Sequence, residues 1–142
     1  MQNEAVLIID HDEDDWIMID EVWKELKLNN ELVFVSTAEE AIARIQKMQS
    51  APFIIICELN LPRINGFELR ETMLHTHSKK LRSVPFIFWS TTASEEQILH
   101  AYNLSVHGFF IKDNSIHDLK ETFKAIITYW TKSKMPAKSN VI

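Results

Sequence analysis

Five short apolar runs punctuate the chain, at Ala5 to Ile9, Leu32 to Val35, Phe53 to Cys57, Pro85 to Trp89 and Phe109 to Ile111, and most are continuous rather than alternating. A strand that is apolar at every position must be covered on both faces, whereas a one-sided sheet needs alternation. Between the runs, apolar residues return at helical spacing: Ile19, Val22, Trp23 and Leu26 in a first segment, Ala38, Ala41, Ile42 and Ile45 in a second. Recurrence at i, i+3, i+4 and i+7 marks one buried helix face. A third segment is less regular, with Leu69 and Met73 one turn apart and Phe67 and Leu74 farther apart on the same stretch. The fourth is short (Ile98, Ala101, Tyr102) and the fifth strong (Ile116, Leu119, Phe123, Ile126, Ile127, Trp130). Strands alternating with helices predict an α/β fold, a three-layer, doubly wound, five-stranded parallel sheet, because each parallel connection needs a right-handed crossover. Ligands of such sheets sit beyond the C-terminal strand ends. Asp10, Glu58, Ser90 and Lys112 all fall at those ends.

A chain of 142 residues with 46% hydrophobic content buries a core without metal or disulfide staples. One domain is expected over residues 1–132, with residues 133–142 as a flexible tail and Pro136 to Ile142 as a disordered end. The apolar run before Asp10 is too short for a secretory signal or a membrane span, so the expected location is the cytoplasm. Cys57, the sole cysteine, excludes an internal disulfide and reads as a small hydrophobe in a buried strand. The net charge of −5 argues against a nucleic-acid partner. Lys79, Lys80 and Arg82 read as a solvated loop, and Lys132, Lys134 and Lys138 as part of a fraying tail. Gly66 and Gly108 are the only glycines, too few for a phosphate-cradling loop of the Gly-rich kind, which argues against a nucleotide-binding enzyme.

The polar residues that remain are concentrated after the first and third apolar runs. Asp10-His11-Asp12-Glu13-Asp14-Asp15 opens the first helical segment. Asp12 suits the helix cap, and Glu13, Asp14 and Asp15 suit the positive end of the helix dipole. Asp10, ending an apolar strand, is the member of the group expected in a site. The third run leads into CELNLPRINGFEL, Cys57 to Leu69. With Asp10, Glu58 in its Leu59-Asn60-Leu61-Pro62 setting, Ser90 and Lys112 in correct order, the chain resembles the receiver domain of two-component response regulators, from Ala5 to about Trp130. The resemblance implies a flavodoxin-like strand order 2-1-3-4-5.

It also implies roles. Glu58 stands where the family has the aspartate that accepts a phosphoryl group from a histidine kinase. Ser90 corresponds to the hydroxyl residue that follows the phosphoryl oxygens, with Thr91 and Thr92 competing for the part. Lys112 corresponds to the lysine that grips the phosphoryl group, and Phe109 to the aromatic switch. Asp10, His11, Glu58 and the Asn60 carbonyl correspond to the positions that hold a divalent cation. Three departures matter. Glutamate is longer than aspartate by about 1.5 Å. Imidazole at His11 is a poor ligand for magnesium, which wants oxygen, so Mg2+ is expected to bind weakly. Asp113 replaces the family's proline after the lysine, and its peptide bond is expected to be trans.

These departures point to a stand-alone, receiver-like signalling protein of the two-component kind that is not an enzyme. It would act by phosphorylation-independent docking of a sensor histidine kinase or another signalling protein, through the fourth helix, fifth strand and fifth helix. A homodimer through that face is part of the same expectation. An active phosphoacceptor, modified by a histidine kinase with Mg2+, is the alternative. A metal-dependent hydrolase on the same sheet would need a positioned nucleophile and a closed metal set, more than His11 and one or two carboxylates supply.

Overall fold

The computed structural model describes residues 4–137. Its elements run β1 (Val6–Ile9), α1 (Glu13–Leu26), β2 (Leu32–Val35), α2 (Ala38–Lys47), β3 (Ile54–Glu58), α3 (Gly66–Leu74), α4 (Lys79–Arg82), β4 (Phe86–Ser90), α5 (Glu95–Asn103), β5 (Gly108–Ile111) and α6 (Ile116–Lys132). The helix starts are fixed locally. Asp12, Thr37, Asn65, Ser78, Ser94 and Ser115 each accept a backbone N–H from the first turn of the helix they precede. Each cap satisfies a donor that the helix leaves without a partner. Asn65 with Glu68, and Ser94 with Gln97, close reciprocal capping boxes.

The strands form one parallel sheet in the order β2-β1-β3-β4-β5, as the resemblance implied. The central strands β1, β3 and β4 are buried throughout, and exposure is confined to the edges β2 and β5. Successive side chains point to opposite faces, and the core divides accordingly. Leu7, Ile9, Ile55, Cys57, Phe86 and Phe88 pack with residues of α2, α3, α4 and α5. Val6, Ile8, Ile54, Ile56, Ile87 and Trp89 pack with residues of α1 and α6. Glu58 shares the parity of Ile54 and Ile56, which directs it toward the α1 and α6 side.

Register aligns the polar strand ends. Ile9 lies beside Val35 and Cys57, Glu58 beside Trp89, and Ser90 beside Ile111. Asp10 N–H donates to the Val35 carbonyl at 3.0 Å, and Lys112 N–H to that of Ser90 at 2.8 Å. Gly66 lets α3 begin hard against this edge. A Cβ there would lie 2.7 Å from the Phe88 ring and 2.9 Å from the Glu58 carbonyl oxygen.

Several expectations change. Lys79, Lys80 and Arg82 form the short helix α4, capped by Ser78 and anchored by buried Leu81, so the expected fourth and fifth helices are α5 and α6. Lys132 belongs to the last turn of α6 and not to a tail. Tyr102 faces solvent, while Ala101 is the buried residue of α5. Met135, beyond α6, packs against the α1 and α6 core. The part of the expected tail at residues 138–142, including Lys138, lies outside the described residues.

Candidate functional site

Lys112 is where the site converges. Its Nζ lies 2.6 Å from Glu58 Oε1, 2.8 Å from Asp15 Oδ2 and 3.1 Å from Asp10 Oδ2. The same ammonium sits 4.8 Å from the centroid of the Trp89 ring, within the range of a cation–π attraction. Burial works against the Lys112 charge, but hydrogen bonds to Asp15 and Glu58 and the charges of Asp10 and Glu58 outweigh it and hold the ammonium above its ordinary range.

The carboxylates are fixed from behind. Glu58 Oε2 accepts the Asn60 N–H at 3.0 Å, so both of its oxygens are engaged. Asp10 Oδ1 accepts the Asp12 N–H at 2.9 Å, and the Asp10 carbonyl accepts the Trp16 indole N–H at 2.8 Å. Trp16 is itself stacked on Phe34 at 5.3 Å. Asp10 is almost wholly buried, and burial drives its pKa up to about 7, against the lowering effects of the Asp12 N–H and the Lys112 charge; neighbouring Asp15 adds to the rise. Asp10 Oδ2 has no hydrogen-bond donor among the described residues. Its contact with Lys112 is therefore one of charge.

Of the residues read from sequence, Asp10, Glu58 and Lys112 come together. Ser90 is fully buried at the end of β4, with no hydrogen-bond partner for its hydroxyl among the described residues, whereas Thr91 and Thr92 are exposed. Phe109 is partly buried on β5, its ring 5.9 Å from that of Phe88. His11 is exposed, and so is Asn60, which meets the site through its backbone N–H. Asp113 follows Lys112 on a trans bond, among described residues that contain no cis peptide, and accepts a hydrogen bond from the Thr122 hydroxyl at 2.7 Å.

Asp15 is the residue that sequence reasoning misplaced, since it does more than favour the helix dipole. The signal was present: Asp15, Ile19 and Val22 lie at i, i+4 and i+7, and the latter two are buried. An acid on the inward face of α1 has to meet something in the core edge, and it meets Lys112.

As arranged, the expected cation set does not fit a divalent ion. Magnesium demands near-octahedral oxygen coordination, yet the point between the carboxylates is taken by the Lys112 nitrogen and His11 stands outside. Among the described residues no group of three or more His, Cys, Asp or Glu side chains is arranged to hold a metal.

Comparison with known proteins agrees with this architecture. Response regulator Rcp1 of Synechocystis is 23% identical over 131 residues, covering 89% of this chain and 88% of Rcp1. Its Mn2+-bound crystal structure superposes with a TM-score of 0.81 over 94% of this chain and 99% of that one. The phosphorylated cyanobacterial phytochrome response regulator RcpA superposes with a TM-score of 0.84 at 24% identity, over 95% of this chain and 99% of RcpA. The probable methanogenesis regulatory protein FilR2 of Methanothrix harundinacea is 32% identical over 82 residues, 58% of this chain; the match spans about half of FilR2, 52% of its length. No described helix is long and apolar enough to cross a membrane. The family model for the response regulator receiver domain matches residues 6–124, and with the strand order and the convergence of Asp10, Glu58 and Lys112 this places the chain in the response regulator receiver domain family.

Proposed function

We propose that this receiver works in the cytosol as a signalling adaptor whose docking does not require phosphorylation, and that it is not an enzyme. The observation that carries the reading is the state of the Glu58 carboxylate. One oxygen is held by Lys112 at 2.6 Å and the other by the Asn60 N–H at 3.0 Å. A nucleophile for phosphoryl transfer needs a free oxygen in line with the donor, since this chemistry rests on positioning and charge stabilisation. Glu58 carries its carboxylate about 1.5 Å farther out than aspartate would and has it tied at both oxygens to Lys112 and the Asn60 N–H, so the positioning is lost, and Mg2+ binding is weak for want of a seat.

Glu58 also imitates a phosphorylated residue only in part. A phosphoryl group brings roughly −1.5 to −2 charges and three acceptor oxygens, against one charge and two oxygens here. The raw Coulomb attraction between Glu58 and Lys112 amounts to several kcal/mol at an effective dielectric of about 20, and desolvation of both partners offsets much of it. The result is a bias in the conformational equilibrium of α5 and β5 without full locking. The partner is a sensor histidine kinase or another signalling protein, met through α5, β5 and α6, the face through which the chain also dimerises.

The alternative phosphoacceptor reading draws support from RcpA, a similar protein that was crystallised phosphorylated. One assay separates the two. Incubation with acetyl phosphate and Mg2+ should leave the intact mass of the wild type unchanged, and the double variant Glu58→Asp with His11→Asp should gain one phosphoryl group. A Mg2+-dependent gain on the wild type that disappears in Glu58→Gln would replace the adaptor reading with the alternative.

A further inference from the structure

We propose that His107 is a pH-sensitive latch on the turn joining α5 to β5, shut while its imidazole is neutral and released when the ring becomes imidazolium. The proposal goes beyond the adaptor reading and holds whether or not Glu58 accepts a phosphoryl group.

The latch stands in for a rung of the sheet. Pairing of β4 with β5 begins at Ile87 and Gly108, and one residue earlier the His107 N–H donates to the Phe86 carbonyl at 2.8 Å. The Phe86 N–H faces the same turn and needs an acceptor there, because an unpaired backbone donor away from water is costly. The carbonyls of Leu104 and Ser105 are engaged elsewhere, by Nε and Nη2 of Arg70, and Ser105 turns through a left-handed φ of 58°. The His107 side chain takes the part, its Nδ1 accepting the Phe86 N–H at 3.1 Å.

An accepting Nδ1 offers its lone pair, so the neutral ring carries its proton on Nε2. Protonation puts an N–H on Nδ1 as well, opposite that of Phe86, and two donors cannot share a bond. Arg70, fixed on α3, acts on the ring with a full positive charge; β4 presents Phe86 and Ile87, β5 Phe110, and α6 Tyr129 and Trp130, whose ring lies 5.6 Å away. No carboxylate among the described residues acts on the ring, and partial burial, joined by the Arg70 charge, pulls its pKa below the ordinary 6.5. The residue reaches solvent, so the ring exchanges protons with the medium. The latch contributes fully to stability above about pH 6.5, where the unfolded ring is neutral too, and its contribution is lost as pH falls below that value. Since α5 ends and β5 begins around this turn, acid loosens the two elements at their join.

Nuclear magnetic resonance of the full chain, following the His107 ring and the Phe86 amide from about pH 8 to about pH 4, provides the test. Wild type is expected to show the Nε2–H tautomer at the upper end and a His107 titration below about pH 6.5. Hydrogen-exchange protection of Phe86 should fall about tenfold through that titration, as one hydrogen bond is lost. His107→Asn, whose Oδ1 accepts the same N–H and does not titrate, should keep Phe86 protected to within about twofold over the whole range. His107→Leu removes the acceptor and should leave Phe86 poorly protected at both ends. An Nδ1–H tautomer at the upper end, a ring that titrates at or above the ordinary value, or a Phe86 amide unmoved while His107 titrates overturns the proposal. So does a loss of Phe86 protection in His107→Asn as large as that in wild type, or a His107→Leu amide as protected as wild type. If either variant does not fold, the wild type decides: tautomer and coupled titration together uphold the latch, and the absence of either sinks it.

Discussion

Asp10 carries a conflict that should be visible in solution. Its carboxyl is buried and held at a pKa of about 7, against 3.8 for the unperturbed group. A carboxyl raised in the folded state keeps its proton while the unfolded chain has lost it, so its contribution to stability is complete below about pH 4 and falls as pH rises to about 7. Asn at this position mimics the protonated form. Asp10→Asn should therefore gain stability relative to wild type across that window, by at most ~4 kcal/mol at 1.36 kcal/mol per pKa unit, with the difference level above pH 8. Urea denaturation at pH 4, 6 and 8 provides the measurement, and a difference independent of pH would remove Asp10 as the titrating group. Lys112 has no such consequence in this range, since its ammonium is held still more firmly than usual.

Among the elements, α3 is tied to the turn that ends α5 by a buried side chain that no sequence pattern announced. Arg70, on α3, is 2% exposed; its Nε donates to the Leu104 carbonyl and its Nη2 to the Ser105 carbonyl, each at 2.9 Å, and its guanidinium lies 5.2 Å above the Phe86 ring. Those carbonyls follow α5, where Ser105 turns through a left-handed φ of 58°. A cation at the carbonyl end of a helix also complements its dipole. Arg70→Ala should lower stability by roughly 2 to 4 kcal/mol, because it strands two carbonyls and empties a packed site. Hydrogen exchange should quicken most at the C-terminal end of α5. Equal loss of protection in α1 and α6 would mean that the guanidinium supports the fold at large and not this junction. Gly66 acts between elements in another way, allowing α3 to approach Phe88 and the Glu58 carbonyl. The Asn-Gly pair was legible in the sequence, but its close contact with β4 was not, because Phe88 lies far along the chain.

For the molecule as a whole, the proposed docking face gives the third test. Leu99 on α5, Ile111 on β5 and Tyr129 on α6 are large apolar or aromatic residues that remain at least half exposed. They make little contribution to the fold, so Leu99→Ser combined with Tyr129→Ser should change stability by only about 0.5 kcal/mol. Self-association measured by sedimentation velocity should nevertheless weaken. A dimer unaltered by the pair of substitutions would move the interface elsewhere. The five-stranded architecture itself was readable in advance: continuous apolar runs demanded cover on both faces, and helical spacing supplied it.

What local sequence fixed was the identity and order of strands and helices, their caps, and the strand-end positions of Asp10, Glu58, Ser90 and Lys112. Periodicity and capping act over a few residues, so they leave a readable trace. The placement of Asp15 against Lys112 is a contact between residues 97 positions apart, set by the side of the sheet that α1 covers and by the register of β3 with its neighbours. No spacing rule encodes such a distance. The chain specifies which charges it carries, and folding brings a lysine from the last strand's end to sit among two acids from other strand ends and one from the first turn of α1.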